Sequence, residues 1–512
     1  MQVVARRGVT LGASIAAVAA ASVQAQLVVA PESGSGRGFS VVPTLSISET
    51  ATDNVGLSST ERRSDLVTQV TPGIRVDSKG GRIRGFFDYS LTGIAYARSS
   101  SNNELQNVLN SAVNVEAVEN WAFVDFRANI SQQAISAYGT RSADSSLING
   151  NRTEVRTFDV SPYIKGRLAG FADYEARWTQ NWTRNSSTDS ANNGSSVGSL
   201  HVAGDSGLRV VSWSADASHQ VYDYTVGRRT VDDIVRAVLY VAVNPQLRLS
   251  LIEGRESNNV LSADRESHTT PGVGVDWQPT ERTQISAQRE KRFFGNSHSL
   301  SFVHRTPRTV WRFSDVQDVT TGFGQPVPGS LGTAYDLFFT QFASLQPDPL
   351  LRASLVDAFL RANGIAPTTQ VFTGSLASAV TRQRRQELSF ALLGIRDTVT
   401  VGASQTQALR LDNTVVVADD FANGNLVRER GVSLGVAHRL PGLGALNLLA
   451  SIDRTSGNVT AQSTTLRSVS VSWTQQFSPR MNFSLGAHHS SFSSSSQPYS
   501  ETGVTAAVGL RL

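Results

Sequence analysis

The stretch Gly503-Val504-Thr505-Ala506-Ala507-Val508-Gly509-Leu510-Arg511-Leu512 alternates between two kinds of residue. Val504, Ala506, Val508, Leu510 and Leu512 are apolar, whereas Gly503, Thr505, Ala507, Gly509 and Arg511 are small or polar. Successive side chains of a strand point to opposite faces of its sheet. One face is therefore suited to hydrocarbon and the other to water or close packing, as a transmembrane barrel strand requires.

The same alternation recurs upstream, from about Phe39 onward. Val124/Phe126/Ala128/Ile130, Leu247/Leu249/Leu251, Val399/Val401/Ala403, Val432/Leu434/Val436 and Leu446/Leu448/Ala450/Ile452 all repeat it. Short turn-forming stretches fall at 78–82, 118–121, 165–169, 206–208, 244–246, 278–281, 306–308, 393–397, 441–445 and 478–480. Between them lie longer connections rich in Ser, Asn and Asp, such as 99–106, 139–152, 184–195, 411–427 and 491–501. Short turns alternating with long polar loops match the periplasmic and extracellular ends of an outer-membrane barrel. The expected fold is all-β: a transmembrane antiparallel β-barrel of about 22 strands. Weak alternation over 196–240 leaves that count open between roughly 20 and 24.

Composition supports this class. Arg6 and Arg7, an Ala-rich apolar run from Gly8 to Ala21 and Val23-Gln24-Ala25 read as a cleavable export signal over 1–25. The residues after Arg6-Arg7 fit a twin-arginine signal poorly. The single barrel domain then spans 26–512. Beyond the signal, no apolar stretch reaches the roughly 20 residues that a spanning helix needs. The absence of cysteine excludes disulfides and thiolate metal sites. The formal net charge is only +4, carried almost wholly by arginine, with lysine at Lys79, Lys165 and Lys291 alone. Such a balance argues against a nucleic-acid partner.

One region breaks the pattern. Residues 319–383 contain Gly/Pro-rich sequence followed by helical spacing at Leu337, Phe338, Phe342 and Leu345. Asp348-Pro349 then reads as an N-cap with proline at the first helical position. Leu351, Leu355, Ala358 and Phe359 form an apolar stripe on a helix near 348–363, which Gly364 ends. On the extracellular side such a helix must dock its stripe, and a plug or lid is the expected role.

Several stretches resemble a family of outer-membrane β-barrel proteins associated with the PEP-CTERM protein-sorting and exopolysaccharide system. They are Pro43-Thr44-Leu45-Ser46-Ile47-Ser48-Glu49-Thr50-Ala51-Thr52-Asp53-Asn54-Val55, Thr71-Pro72-Gly73-Ile74 and Asp88-Tyr89-Ser90-Leu91-Thr92-Gly93-Ile94-Ala95-Tyr96-Ala97. The most distinctive is Pro347-Asp348-Pro349-Leu350-Leu351-Arg352 with its helix, ending at Phe359-Leu360-Arg361-Ala362-Asn363-Gly364. The resemblance runs over the whole mature chain. It implies an outer-membrane location and a link to polysaccharide secretion, and it carries no agreed activity and no catalytic residues.

Strand parity selects the residues expected to face the lumen: Asp88, Asp125, Arg127, Asp173, Glu175, Arg177, Arg248 and Asp276. Their mixed signs allow a solute-ordering lining or cross-strand pairs that simply fill the interior. Arg382, Arg384 and Arg385 form a basic cluster near the expected outer rim, where guanidinium groups suit phosphate or an acidic polymer. Trp121, Trp277, Trp311, Trp473, Phe483 and Tyr499 are expected in interfacial girdles. His488-His489 has no third ligand nearby in sequence, so no metal or cofactor is expected. There is no His-Glu-x-x-His and no phosphate-binding glycine loop, and an enzyme is not expected.

The sequence thus leads to an outer-membrane pore or conduit associated with exopolysaccharide secretion, gated by the insert. The alternative is an occluded structural or receptor-like barrel anchoring surface polymer or partner proteins. The expected partners are outer-membrane lipid and lipopolysaccharide, then polysaccharide and periplasmic export components.

Overall fold

The computed structural model describes residues 38–512 except 187–191, 226–227, 412–419, 422–423 and 459–462. Between 321 and 379 it describes only Tyr335, Phe338, Phe339, Arg352, Ala353 and Val356, all helical. The export signal and the stripe Leu351, Leu355, Ala358 and Phe359 lie outside the described residues.

Period-two patterning becomes strand after strand. The first eight are β1 (Phe39–Thr52), β2 (Asp65–Lys79), β3 (Ile83–Tyr96), β4 (Glu104–Val118), β5 (Ala122–Ala134), β6 (Arg152–Leu168), β7 (Ala172–Asn185) and β8 (Asn193–Asp205). The next eight are β9 (Val211–Tyr224), β10 (Thr230–Asn244), β11 (Leu247–Asn258), β12 (Glu266–Thr269), β13 (Gly272–Thr280), β14 (Thr283–Arg292), β15 (Gly295–Arg305) and β16 (Thr309–Thr320). The last seven are β17 (Thr381–Leu393), β18 (Asp397–Arg410), β19 (Leu426–Leu440), β20 (Gly444–Gly457), β21 (Ser463–Ser478), β22 (Met481–Ser493) and β23 (Tyr499–Arg511). The short β12 and the longer β13 both pair with β11, at Arg255–Asn258 and at Leu247–Ile252 respectively. They are two pieces of one stave, interrupted at Thr270-Pro271, where proline has no N–H to give to a ladder.

Every neighbour pairs antiparallel, and β1 closes on β23 from Thr44↔Arg511 to Thr52↔Gly503. The result is a closed barrel of 22 staves, as the alternation predicts. The weak region 196–240 supplies β8, β9 and β10. Spacing of about 4.8 Å between tilted strands makes a wall of this size roughly 40 Å across. Side chains alone cannot fill such a lumen.

All ten predicted short turns lie between paired strands at one end, and the long connections lie at the other. Ala169-Gly170 and Gly442-Leu443 reverse the chain with consecutive positive φ angles, of 42° and 81° and of 79° and 64°. This is the handedness that two-residue hairpins need.

The two faces differ as their alternation requires. Val235, Leu251 and Val273 are about 60% exposed on the outside, and Trp277, Trp311, Trp473 and Phe483 face outward near the short-turn end. Exposure of this kind costs free energy in water and is favourable against hydrocarbon. Facing inward are Thr157, Ser161, Asn181, Ser214, Thr400 and Ser433, buried by their neighbours. Tyr499 departs from the expected girdle. It sits on the inward parity of β23 at the long-loop end, where its hydroxyl donates to the Arg141 carbonyl at 2.5 Å. A buried phenol needs such an acceptor.

Candidate functional site

The inner wall carries arginines held among carboxylates and rings. Arg177 donates to Asp125 at 2.7 Å and to Glu175 at 2.9 Å, and its guanidinium lies 3.8 Å from the Tyr163 ring centroid. Asn114 ties the same group together by donating to Asp125 and to the Tyr163 hydroxyl. Arg248 donates to Asp276 at 2.7 Å and covers the Tyr240 ring, and Ser286 also donates to Asp276. Asp88 receives Arg75 at 3.1 Å, beside Asp77. Asp173 lies at the rim, 3.8 Å from Arg167. Arg127 shares the inward face of β5, opposite Asp159, exposed to the lumen.

The most buried charge group was not singled out from the sequence. Arg292, at the long-loop end of β14, donates to Glu256 at 2.5 Å and to Asp318 at 2.8 Å, and lies 3.8 Å from Asp232. Glu256 has no exposure at all. Beside it Arg236 meets the buried Glu290 at 3.0 Å. Strand parity would have found all of these, because they occupy the inward positions of β10, β11, β14 and β16.

Among the described residues, the connection 135–151 between β5 and β6 enters the lumen. It folds inward and crosses to the opposite wall. Leu147 is wholly buried in a cluster with Val55, Leu57, Val67, Ile94, Tyr96, Leu466, Phe492 and Tyr499. Tyr96 donates to the Ser146 carbonyl, the Ile148 amide donates to the Val55 carbonyl at 3.0 Å, and Gln106 donates to the Ser145 carbonyl. Further along, Arg141 meets Glu429 of β19 at 2.7 Å, while Ser136 and the Ala137 amide both donate to Asp420. Thr140 donates to Gln497. From β6 to β19 is ten staves by the shorter way, one short of diametrically opposite. The Tyr138 phenol is pushed up to about 12 by burial and by the Asp420 and Glu429 carboxylates, so it stays neutral within this bridge.

The apolar residues Leu147-Ile148, with Ala137-Tyr138 before them, inside a loop rich in Ser, Asn and Asp were the available signal. A loop meant only for water has no use for them.

The histidine pair divides between the faces. His488 turns inward, 3.1 Å from Glu501 and 3.9 Å from Asp144, while His489 turns outward to the Thr502 hydroxyl. Gly431-Val432-Ser433-Leu434-Gly435 matches the spacing of a hydrolase nucleophile elbow. It lies inside β19 with Ser433 buried in the wall, whereas an elbow needs a sharp strand-to-helix turn that exposes the serine.

The basic cluster also divides. Arg382, Arg384 and Arg385 belong to β17 itself and not to the insert. Arg382 and Arg384 share the outward parity of Leu388, whereas Arg385 faces the lumen beside Glu387. Adjacent residues of a strand cannot share a face, so Arg385 is not part of the outward site.

No family model matches this chain, and no curated protein does. Solved structures with a similar fold include the FrpB iron transporter from Neisseria meningitidis (F3-3 variant), at 10% identity and a TM-score of 0.48, covering 94% of this chain and 82% of that one. The siderophore receptor PirA from Pseudomonas aeruginosa is 8% identical at a TM-score of 0.45, over 92% and 80% of the two chains. BauA, the ferric preacinetobactin receptor from Acinetobacter baumannii, is 12% identical at a TM-score of 0.42, over 91% and 80%.

Proposed function

We propose that this chain is an outer-membrane barrel with an occluded lumen, receptor-like or structural, whose working surface is its long-loop end. The observation that carries the reading is the 135–151 bridge, tied to β2, β3 and β21–β23 by an apolar cluster and to β19 by the Arg141–Glu429 ion pair. A segment fastened at so many points is a built part of the lumen and narrows it. The outer apolar belt and the short-turn and long-loop asymmetry support the membrane setting.

The test is single-channel conductance of the refolded barrel in a planar bilayer. The full chain should pass little current, and replacing 138–149 by a short Gly-Ser linker should open large steps. Large steps in the unaltered protein would sink the occluded reading. Silence in both, with insertion verified, would move the occlusion to another segment, and the insert would then be deleted next.

The conduit reading keeps the same barrel and asks the bridge and the insert to move aside for a polymer. Its support is the resemblance to exopolysaccharide-linked barrels. Deleting the gene would then trap polymer in the periplasm, and normal secretion would count against it.

A further inference from the structure

We infer that the outer face of β17–β21 binds a phosphorylated glycolipid of the outer leaflet through a cluster of arginines set just above the apolar belt.

On β19 the outward positions read Arg428, Arg430, Val432, Leu434 and Val436 from the long-loop end downward. On β20 they read Arg454, then Ile452, Ala450 and Leu448; on β21 Arg467 precedes Val469, Val471 and Trp473. On β17 Arg382 and Arg384 precede Gln386, Leu388 and Phe390. The cations therefore lie at the boundary of the lipid-facing surface, where the phosphates of a leaflet lie. Val432 and Ile452, each just over half exposed, sit directly beneath.

Register brings the charges together. Arg430 is directly opposite Arg454, and Arg467 stands diagonally next to Arg454, opposite Ile452. Like charges directly opposed on a sheet are destabilising. No carboxylate among the described residues pairs with Arg382, Arg428, Arg430, Arg454 or Arg467. An outward acid on the adjacent β16, Asp315, is taken: Arg384 donates to it at 2.6 and 3.0 Å, Gln386 donates at 2.9 Å, and His298 lies 3.1 Å away. From there Gln405 donates to Gln386, and Arg430 donates to Gln405 at 2.7 Å. The chain of contacts holds Arg430 in place without neutralising it.

Across the closure, β22, β23, β1, β2 and β3 offer Ser491, Thr502, Glu49, Thr68 and Ala95 at the corresponding outward positions. Outward cations also stand near this rim on other staves, at Arg184 of β7, Arg255 of β11 and Arg289 and Lys291 of β14, but it is at Arg430, Arg454 and Arg467 that the register gathers three arginines at adjacent positions. Guanidinium forks bind phosphate in bidentate fashion, and the exposed aliphatic surface just below continues the site toward acyl chains. That continuity selects a lipid over a soluble anion.

This deepens the outer-membrane reading and can fail separately from it. Fractionation of the wild-type protein with the inner membrane would sink the location, whereas binding in vitro tests the site itself. The experiment is native mass spectrometry of the full barrel in detergent with bisphosphorylated lipid A, dephosphorylated lipid A or phosphatidylglycerol. The wild type should retain bisphosphorylated lipid A in preference to the other two. R430Q/R454Q/R467Q, checked for folding by its heat-dependent gel shift, should lose retention by about tenfold or more. Arg156→Gln, which removes an outward arginine already paired with Glu154, should retain it. Should the triple variant not fold, a photoreactive lipid A analogue on the wild type gives a second reading, and cross-links should fall within β17–β21. Equal retention by the triple variant, equal retention of phosphatidylglycerol, or cross-links spread around the barrel would each overturn the site.

Discussion

Arginine serves two opposite purposes on the two sides of this wall. In the lumen, Arg75, Arg141, Arg177, Arg248 and Arg292 each lie against carboxylates, and Arg75, Arg177, Arg248 and Arg292 also lie over aromatic rings. On the outer face of β17–β21, Arg430, Arg454 and Arg467 are exposed and stand among neutral neighbours or one another. The first set fills a wide interior at balanced charge. The second leaves its charge unmet and so makes a surface with an appetite for anions.

If that contrast is right, removing a lumenal arginine should cost stability, and removing an outer one should cost binding. The largest effect is expected at Arg292→Met. It strands Glu256, which is wholly buried, beside Asp232 and Asp318, and breaking a buried pair costs about 3–5 kcal/mol. Urea unfolding in lipid vesicles, followed by tryptophan fluorescence, would show the drop. An unchanged midpoint would mean that water already reaches the group.

Leu147→Ala should come next. It removes a fully buried side chain from the cluster that fastens the bridge and should cost about 2–5 kcal/mol of local packing. Loosening is expected to appear as intermittent channel openings in a bilayer recording. A closed lumen with unaltered protease resistance of 135–151 would shift the anchor to Arg141 and Asp420.

Arg177→Met should do less, about 1 kcal/mol, because Asp125 and Glu175 are partly exposed and keep access to water. A loss as large as that at Arg292 would show that the lower lumen is drier than its side-chain exposures indicate. Arg454→Gln should have the smallest effect, and of the opposite sign. Relief of its opposition to Arg430 should raise stability by about 0.2–1 kcal/mol in phosphate-free detergent. Added lipid A should reverse that gain, and a gain that persists would weaken the binding site.

Much of this was open to reading along the chain. The alternation at Val504–Leu512 predicts which residues face out, and the ten short turns fall where Gly, Pro, Asn and charged residues interrupt it. The same parity places Asp125 of β5 and Glu175 and Arg177 of β7 on the inner face. It also places Tyr499 and Arg385 inside, although each was grouped by its neighbours in sequence with residues that face outward. Parity was the stronger rule, because a strand has no means of turning two adjacent side chains the same way.

Alternation and turn chemistry are local, so the sequence by itself determined the strands, their two faces and a barrel of this size. Which residues become partners across the lumen was decided only by closure. Nothing near Arg141 announces Glu429, 288 residues away along the chain, and nothing near Leu147 announces Phe492 and Tyr499. Cross-strand register likewise decided that Arg430 and Arg454 stand opposed, 24 positions apart in sequence. Contacts of that kind depend on the circumference and stagger of the whole wall, quantities that no single strand encodes.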